Sequence, residues 1–165
     1  VQVDPTAEQI AEATLQASYR LKLFGVEPKV ALLSHSNYGS HDNPSAAKMR
    51  RVYQILKSRY PKLEVDGEMQ ADTAWDEVLR QRMFPHTTLS GRANLFVMPN
   101  LDAANIAYNM VRVMTDGVAI GPILMGVDKS AHILTPASTA RRVVNMTAVA
   151  AVDAQIRADQ SERRG

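Results

Sequence analysis

Two short apolar runs constrain this chain more than anything else in it. Pro28-Lys-Val-Ala-Leu-Leu-Ser34 and Ala93-Asn-Leu-Phe-Val-Met98 each carry a continuous hydrophobic block bounded by turn residues. A strand with one wet face alternates polar and apolar residues. An unbroken run this short is what a strand covered on both faces needs, as in a parallel sheet. Around these runs the apolar spacing switches to that of a helix. Residues 6–24 place Ile10, Ala13, Ala17, Leu21 and Phe24 at helical spacing behind the start signal Asp4-Pro5-Thr6, and Gly25 ends the element. Asn43-Pro44 opens a second helix to about Tyr60, with Ala47, Met49, Val52, Ile55 and Leu56 as its apolar positions. Leu63-Glu-Val65 reads as a further strand and Asp66-Gly67 as a turn.

Residues 70–83 read as a third helix closed by Pro85, and Ala104, Ala107, Met110, Val111 and Met114 mark one face of a fourth. Val118 to Met125 is apolar but split by Gly121-Pro122, which predicts a short strand, a break and a second apolar segment. The last helix is expected from about 136 to 158, followed by a polar tail over 159–165. Strands alternating with helices predict an α/β protein, a three-layer α/β/α arrangement around a mainly parallel sheet.

The 165 residues suffice for one domain with a real core. A net charge of +2 gives no reason to expect nucleic acid as a partner. With no cysteine there is no disulfide, thiolate nucleophile or cysteine metal site, which fits a reducing, cytoplasmic setting. No run is long and apolar enough to suggest a membrane span, and the chain starts without Met, so a mature piece or an excised domain is expected.

In open α/β sheets ligands bind beyond the carboxyl ends of the strands. Three stretches qualify. The first is Ser34 to Ser40, with Ser36, Asn37, Tyr38, Gly39 and Ser40. The second, after the 93–98 run, holds Asn100, Asp102 and Asn105. The third is His132-Ile-Leu-Thr-Pro-Ala-Ser-Thr-Ala-Arg-Arg142, with Thr135, Ser138, Thr139, Arg141 and Arg142. There Thr135-Pro136 is a good helix start and Ser138-Thr139 a second possible cap. Hydroxyls, amides and helix starts suit phosphate groups, although Ser, Asn and Gly fill ordinary loops as well. His35, His41, His86 and His132 lack metal-ligand spacing. Asp66, Glu68 and Asp72 could hold a hard cation, but a turn and a solvated helix start explain them more simply. The Arg50-Arg51 and Arg141-Arg142 pairs read as solvated, with a phosphate as the alternative partner. The eight Met residues read as core filler. Neither a phosphate-loop nor a dinucleotide fingerprint occurs.

Several longer stretches are familiar. Val30-Ala-Leu-Leu-Ser-His-Ser-Asn-Tyr-Gly-Ser40, Val65-Asp-Gly-Glu-Met69, Ala93 to Asn105 and Ile120-Gly-Pro-Ile-Leu-Met-Gly126 resemble the phosphate acetyl/butyryltransferase family. Asn43 to Arg51 and His132 to Thr147 are similar to one branch of it, the transferase-like domain at the carboxyl end of bacterial multidomain NADP-dependent malic enzymes. The resemblance implies that residues 1–158 are the second half of such a domain, with part of an isocitrate/isopropylmalate dehydrogenase-like fold.

The opening stretch departs from the family. Active transferases carry Asp-Leu-Ser-Arg-Gly-Cys-Ser-Val-Glu-Asp there. The Arg steadies the acyl phosphate, and the last Asp is the candidate base for the CoA thiol. Here Leu134 keeps the Leu and Thr135 a hydroxyl, but Pro136 stands at the Arg position and Arg142 at that of the base. Proline offers neither charge nor donor, and a guanidinium cannot accept a proton at usable pH. Losing one electrostatic stabiliser costs roughly two to three orders of magnitude in rate. The resemblance therefore implies a regulatory domain with no catalytic residue, which binds acetyl-CoA as an allosteric effector through the thirteen residues named above. It implies a homodimer or higher oligomer and a malic enzyme domain in the same chain, with NADP and a divalent metal there and no cofactor here. An active phosphate acetyltransferase and a purely structural dimerisation domain are the alternatives.

Overall fold

A computed structural model describes residues 2–136 and 138–162, and for 160–162 the backbone alone. The expected tail lies outside these residues at 163–165, while 159–162 belong to the last helix. The chain divides into two compact units, residues 1–111 and 112–165.

The first unit is built on a sheet of three parallel strands, β1 (Val30–Leu33), β2 (Val65–Met69) and β3 (Leu95–Val97), in the order β2-β1-β3. Central β1 has Val30 facing Val65 on one side and Leu95 on the other. All four of its residues are buried, as its unbroken run predicts. Val30 and Leu32 pack with Ile10 and Ala11 of helix α1 (Ala7–Leu23) and Met49, Val52 and Leu56 of helix α2 (Pro44–Arg59). Ala31 and Leu33 pack on the other face with Met69, Ala74, Leu89 and Ala93. Helices therefore cover both faces, and the α/β layering is the expected one.

Local chemistry sets the helix ends. Thr6 and Gln9 form a reciprocal capping box at the start of α1, and Asn43 caps α2 ahead of Pro44. The buried stripe of α1 is not the one its apolar residues predict. Ala7, Ile10, Ala11, Thr14 and Ser18 face inward, while Ala13 and Phe24 are exposed. Two hydroxyls can be buried because they bond back along the helix: Thr14 Oγ1 donates to the Ile10 carbonyl at 2.7 Å and Ser18 Oγ to that of Thr14 at 2.8 Å.

Further expectations are corrected or qualified. Residues 70–83 form two helices, α3 (Ala71–Trp75) and α4 (Glu77–Met83), because Asp76 leaves the helical conformation and caps α4 through Leu79 N–H. Asp66-Gly67 is not a turn but the middle of β2. The 118–125 segment forms no strand. Helix α5 (Leu101–Met114) is amphipathic, yet none of its residues is buried; Ile106, Met110, Val111 and Met114 are exposed. Of the methionines, Met49, Met69 and Met146 fill core, whereas Met83, Met110 and Met114 do not.

Arg80 of α4 is wholly buried. It donates to the carbonyls of Thr73, Ala74, Leu89 and Gly91, tying the segment after α4 to α3. In the second unit, helix α6 (Ala140–Glu162) carries the preceding segment along its side. Ser130 Oγ donates to the Ala150 carbonyl, and Arg157 bonds both Asp153 and the carbonyls of Val127 and Asp128.

Gly67 is where β2 comes closest to β1. Its φ is +135°, and a Cβ there would stand 2.7 Å from the Leu32 carbonyl oxygen. Gly67→Ala should lower stability by on the order of 2–3 kcal/mol, from the forbidden backbone angle and the backbone clash together. Urea denaturation would show it as a lower midpoint at an unchanged slope.

Candidate functional site

The Ser34–Ser40 loop leaves the carboxyl end of β1, and a carboxylate from the neighbouring strand shapes it. Glu68 of β2 is fully buried. Its Oε1 accepts from Ser36 Oγ at 2.8 Å, from the Gly39 N–H at 2.8 Å and from Arg50 Nη1 at 3.1 Å. Arg50 also pairs with Asp42, so this guanidinium is engaged rather than solvated. Glu68 Oε2 is buried without a partner among the described residues.

Asp66 does the same work on the other side of Tyr38. Its Oδ2 accepts from Tyr38 Oη at 3.1 Å, Thr87 Oγ1 at 2.6 Å and the Thr88 N–H at 2.8 Å. Tyr38 sits at φ +48°, donates its N–H to the Glu68 carbonyl at 2.7 Å, and packs against the rings of Phe84 and His86. Burial, and to a lesser degree the Asp66 charge, push its hydroxyl above the ordinary phenol range. Asp66 and Glu68 are thus not turn residues; they are buried acceptors that assemble two loops. Among the described residues no group of three His, Asp or Glu side chains could hold a metal ion.

The loop satisfies its own backbone. Ser36 N–H donates to Ser34 Oγ, Asn37 N–H to Ser40 Oγ, Ser40 N–H to the Asn37 carbonyl and His41 N–H to Ser36 Oγ. With the Tyr38 and Gly39 amides bound to Glu68, every N–H from 36 to 41 is occupied. The loop therefore offers no backbone cradle for a phosphate. Asn37 Oδ1 accepts the Gln70 N–H at 2.8 Å.

The second stretch follows β3, which pairs with β1 in parallel, so both loops leave the same edge of the sheet. Asn100 caps α5 by accepting the Ala103 N–H at 2.9 Å, and the Leu101 N–H donates to the Val3 carbonyl. Asp102 is exposed, and Asn105 accepts from Asn109 Nδ2. Beside them lies a mostly apolar cavity of about 250 Å³, lined among others by Ile10, Val97, Met98, Leu101 and Ala104, with Asn100 in its wall.

The remaining five predicted residues lie in the second unit. Thr135-Pro136 does not start the helix. The Ser138 N–H closes a turn onto the Thr135 carbonyl at 2.9 Å and Ser138 Oγ accepts the Thr135 N–H, so the helix begins later, at Ala140. Thr139 Oγ1, the second expected cap, accepts the Arg142 N–H at 3.3 Å. Arg141 is exposed. Arg142 Nε and Nη2 both donate to the Gly121 carbonyl, at 3.0 and 2.7 Å. This bond holds the 118–125 segment where a strand was expected.

The family model for phosphate acetyl/butaryl transferase matches residues 1–151. The NADP-dependent malic enzyme of Escherichia coli strain K12 is 51% identical over 153 residues, covering 92% of this chain and 20% of that protein. The phosphate acetyltransferase of Paracoccus denitrificans is 40% identical over 151 residues, covering 91% of this chain and 48% of that protein. The crystal structure of a phosphotransacetylase from Streptococcus pyogenes matches with a TM-score of 0.88 at 34% identity, over 93% of this chain and 47% of that one. The chain thus spans about a fifth of such malic enzymes and about half of such phosphotransacetylases.

Two measurements check the carboxylate framework. Glu68→Ala takes the carboxylate acceptor from the Ser36 hydroxyl and leaves the Gly39 N–H unpaired, and should cost about 2–4 kcal/mol in urea denaturation. Glu68→Gln keeps an acceptor oxygen and should cost less. For Tyr38 the folded value lies above the ordinary one of about 10, so its stabilising contribution is complete below that pH and fades as pH rises past it. Denaturation series at about pH 9 and pH 11 should show a smaller alkaline loss for Tyr38→Phe than for the parent protein.

Proposed function

This chain belongs to the phosphate acetyl/butaryl transferase family, and from that footing we propose that it binds an acyl-CoA, foremost acetyl-CoA, without transferring the acyl group. Residues 136 and 142 carry the reading. Where active transferases of the family have an arginine and an aspartate, this chain has Pro136 and Arg142. The Arg142 guanidinium is turned onto the Gly121 main chain, so it neither replaces the missing clamp nor accepts a thiol proton.

The proposed contacts within the first unit are Ser36, Asn37, Tyr38, Gly39, Ser40, Asn100, Asp102 and Asn105. Those within the second are Thr135, Ser138, Thr139, Arg141 and Arg142. Ser36 and Tyr38 contribute by shaping their loop, since their hydroxyls are engaged with Glu68 and Asp66. The likeness to malic enzymes supports a regulatory role: acetyl-CoA would act on a malic enzyme domain of the same protein, and the NADP and divalent metal of that reaction would belong to that domain. Such a ligand regulates only if it binds two states of the assembly unequally. Among the described residues no helix is long and apolar enough to cross a membrane, which is compatible with the cytoplasmic setting we propose.

The uncovered apolar face of α5 favours a second, compatible reading, a homo-oligomer. As a purely structural domain the protein would associate without responding to any CoA ester.

Thermal unfolding with and without millimolar acetyl-CoA separates these readings. Saturation at about 100 times the dissociation constant should add roughly 2.7 kcal/mol and raise the midpoint by several degrees. An unchanged midpoint would leave only the structural reading. Acyl transfer from acetyl phosphate to CoA should run at least roughly a hundredfold slower than in an active family member.

A further inference from the structure

The loops at the carboxyl edge of the sheet are almost closed to a ligand, and the exceptions are specific. From Ser36 to Ser40 every backbone N–H is bonded within the protein, the Ser36 and Tyr38 hydroxyls donate to carboxylates, and Ser40 Oγ sits among Asn37 N–H, Ser36 Oγ and His41 Nδ1. One donor remains, the side-chain amide of Asn37. Its orientation is fixed by chemistry: the Gln70 N–H can only donate, so the atom it meets is Oδ1, and Nδ2 is left without a partner among the described residues. The loop after β3 repeats the arrangement. The Ala103 N–H occupies Asn100 Oδ1, and Asn100 Nδ2 is left without a partner among the described residues, on a residue that lines the 250 Å³ cavity.

The Arg50 guanidinium is engaged by Glu68 and Asp42, and no Lys or Arg lines the cavity. Phosphate sites call on Arg, Lys or free backbone amides, and the Ser36–Ser40 loop supplies none of them. A neutral amide suits a neutral oxygen acceptor, and that of Asn100 stands on a residue lining a mostly apolar cavity. The cavity is smaller than the roughly 300–1,000 Å³ that hold a whole drug-sized ligand, so it has room for one end of a long molecule.

We propose that Asn37 and Asn100 recognise the carbonyl oxygens of the acyl-pantetheine end of the ligand, and that the Ser36–Ser40 loop makes no contact with the phosphates of the CoA. This rests on the acyl-CoA reading above and narrows it. The first unit selects for a thioester or amide carbonyl with a small apolar group beside it.

Asn→Asp replacements test it, because the new oxygen still accepts the Gln70 or Ala103 N–H while the free donor becomes an acceptor. An Asp at the head of α5 is also a good cap, so Asn100→Asp should leave stability unchanged or slightly higher. Calorimetric titration of the intact protein would use three probes: acetyl-CoA, acetyl-pantetheine and 3′,5′-adenosine diphosphate. For each variant we expect affinity for the first two to fall roughly tenfold, with the third unchanged. If the parent protein binds acetyl-CoA and both variants bind it equally well, or if they lose the adenosine diphosphate to the same degree, this assignment is overturned and the acyl-CoA reading stands. If the parent protein binds none of the three, both are overturned together.

Discussion

A carboxylate removed from water must be met by donors, and in this protein that requirement organises the end of the sheet where chemistry is expected. Glu68 and Asp66 stand two residues apart on β2, and both are buried. An unmet buried carboxylate would be destabilising by several kcal/mol, so the chain around them has to turn inward. Ser36, Gly39 and Arg50 converge on Glu68; Tyr38, Thr87 and Thr88 converge on Asp66. Tyr38 joins the two sets, with its backbone on the Glu68 carbonyl and its hydroxyl on Asp66, at a φ that few non-glycine residues adopt. Gly67 lies between the carboxylates because β2 must pass within contact distance of Leu32 at that point.

The layering was legible because it depends on period and continuity. Val30 to Leu33 reads as a two-faced strand without knowledge of its neighbours, and Thr6 and Asn43 announce helix starts by local chemistry alone. What could not be read depends on distant partners. Asp66-Gly67 has the composition of a turn; pairing with Ala31 and Leu32 of β1 makes it strand, and donors from residues 36–39 and 87–88 let its carboxylates be buried. Thr14 and Ser18 look like the wet face of α1 until their back-bonds to the helix are seen. At 118–125 the apolar composition suggests a strand, but a segment becomes one only with an edge to pair with, and here Arg142 holds the Gly121 carbonyl instead. Two acidic residues inside a five-residue segment with hydrophobic ends, Val65 to Met69, were the one available hint of a buried polar network.

The place of two of the three candidate stretches on the sheet was legible, their bonding less so. The stretches after β1 and β3 do leave the same sheet edge, as the parallel-strand rule requires. Residue type suggested a phosphate cradle. The hydrogen bonds show a loop whose hydroxyls and amides already serve the protein, as hydroxyl-rich loops commonly do. At the other expected site, the Thr135–Ser138 turn delays the helix to Ala140, so Pro136 lies before the helix while Arg142 lies in its first turn.

A loop that has met its own needs is already in order before any visitor arrives. Apart from the Asn37 side-chain amide, nothing in Ser36 to Ser40 waits for a guest to complete its bonding, so little conformational freedom would be surrendered on association. By the same token, a surface that does not reshape itself is a poor sender of messages. If occupancy of this protein is felt elsewhere, the news must originate in a part of the chain that has two arrangements to choose between, not in the rigid rim that Glu68 maintains.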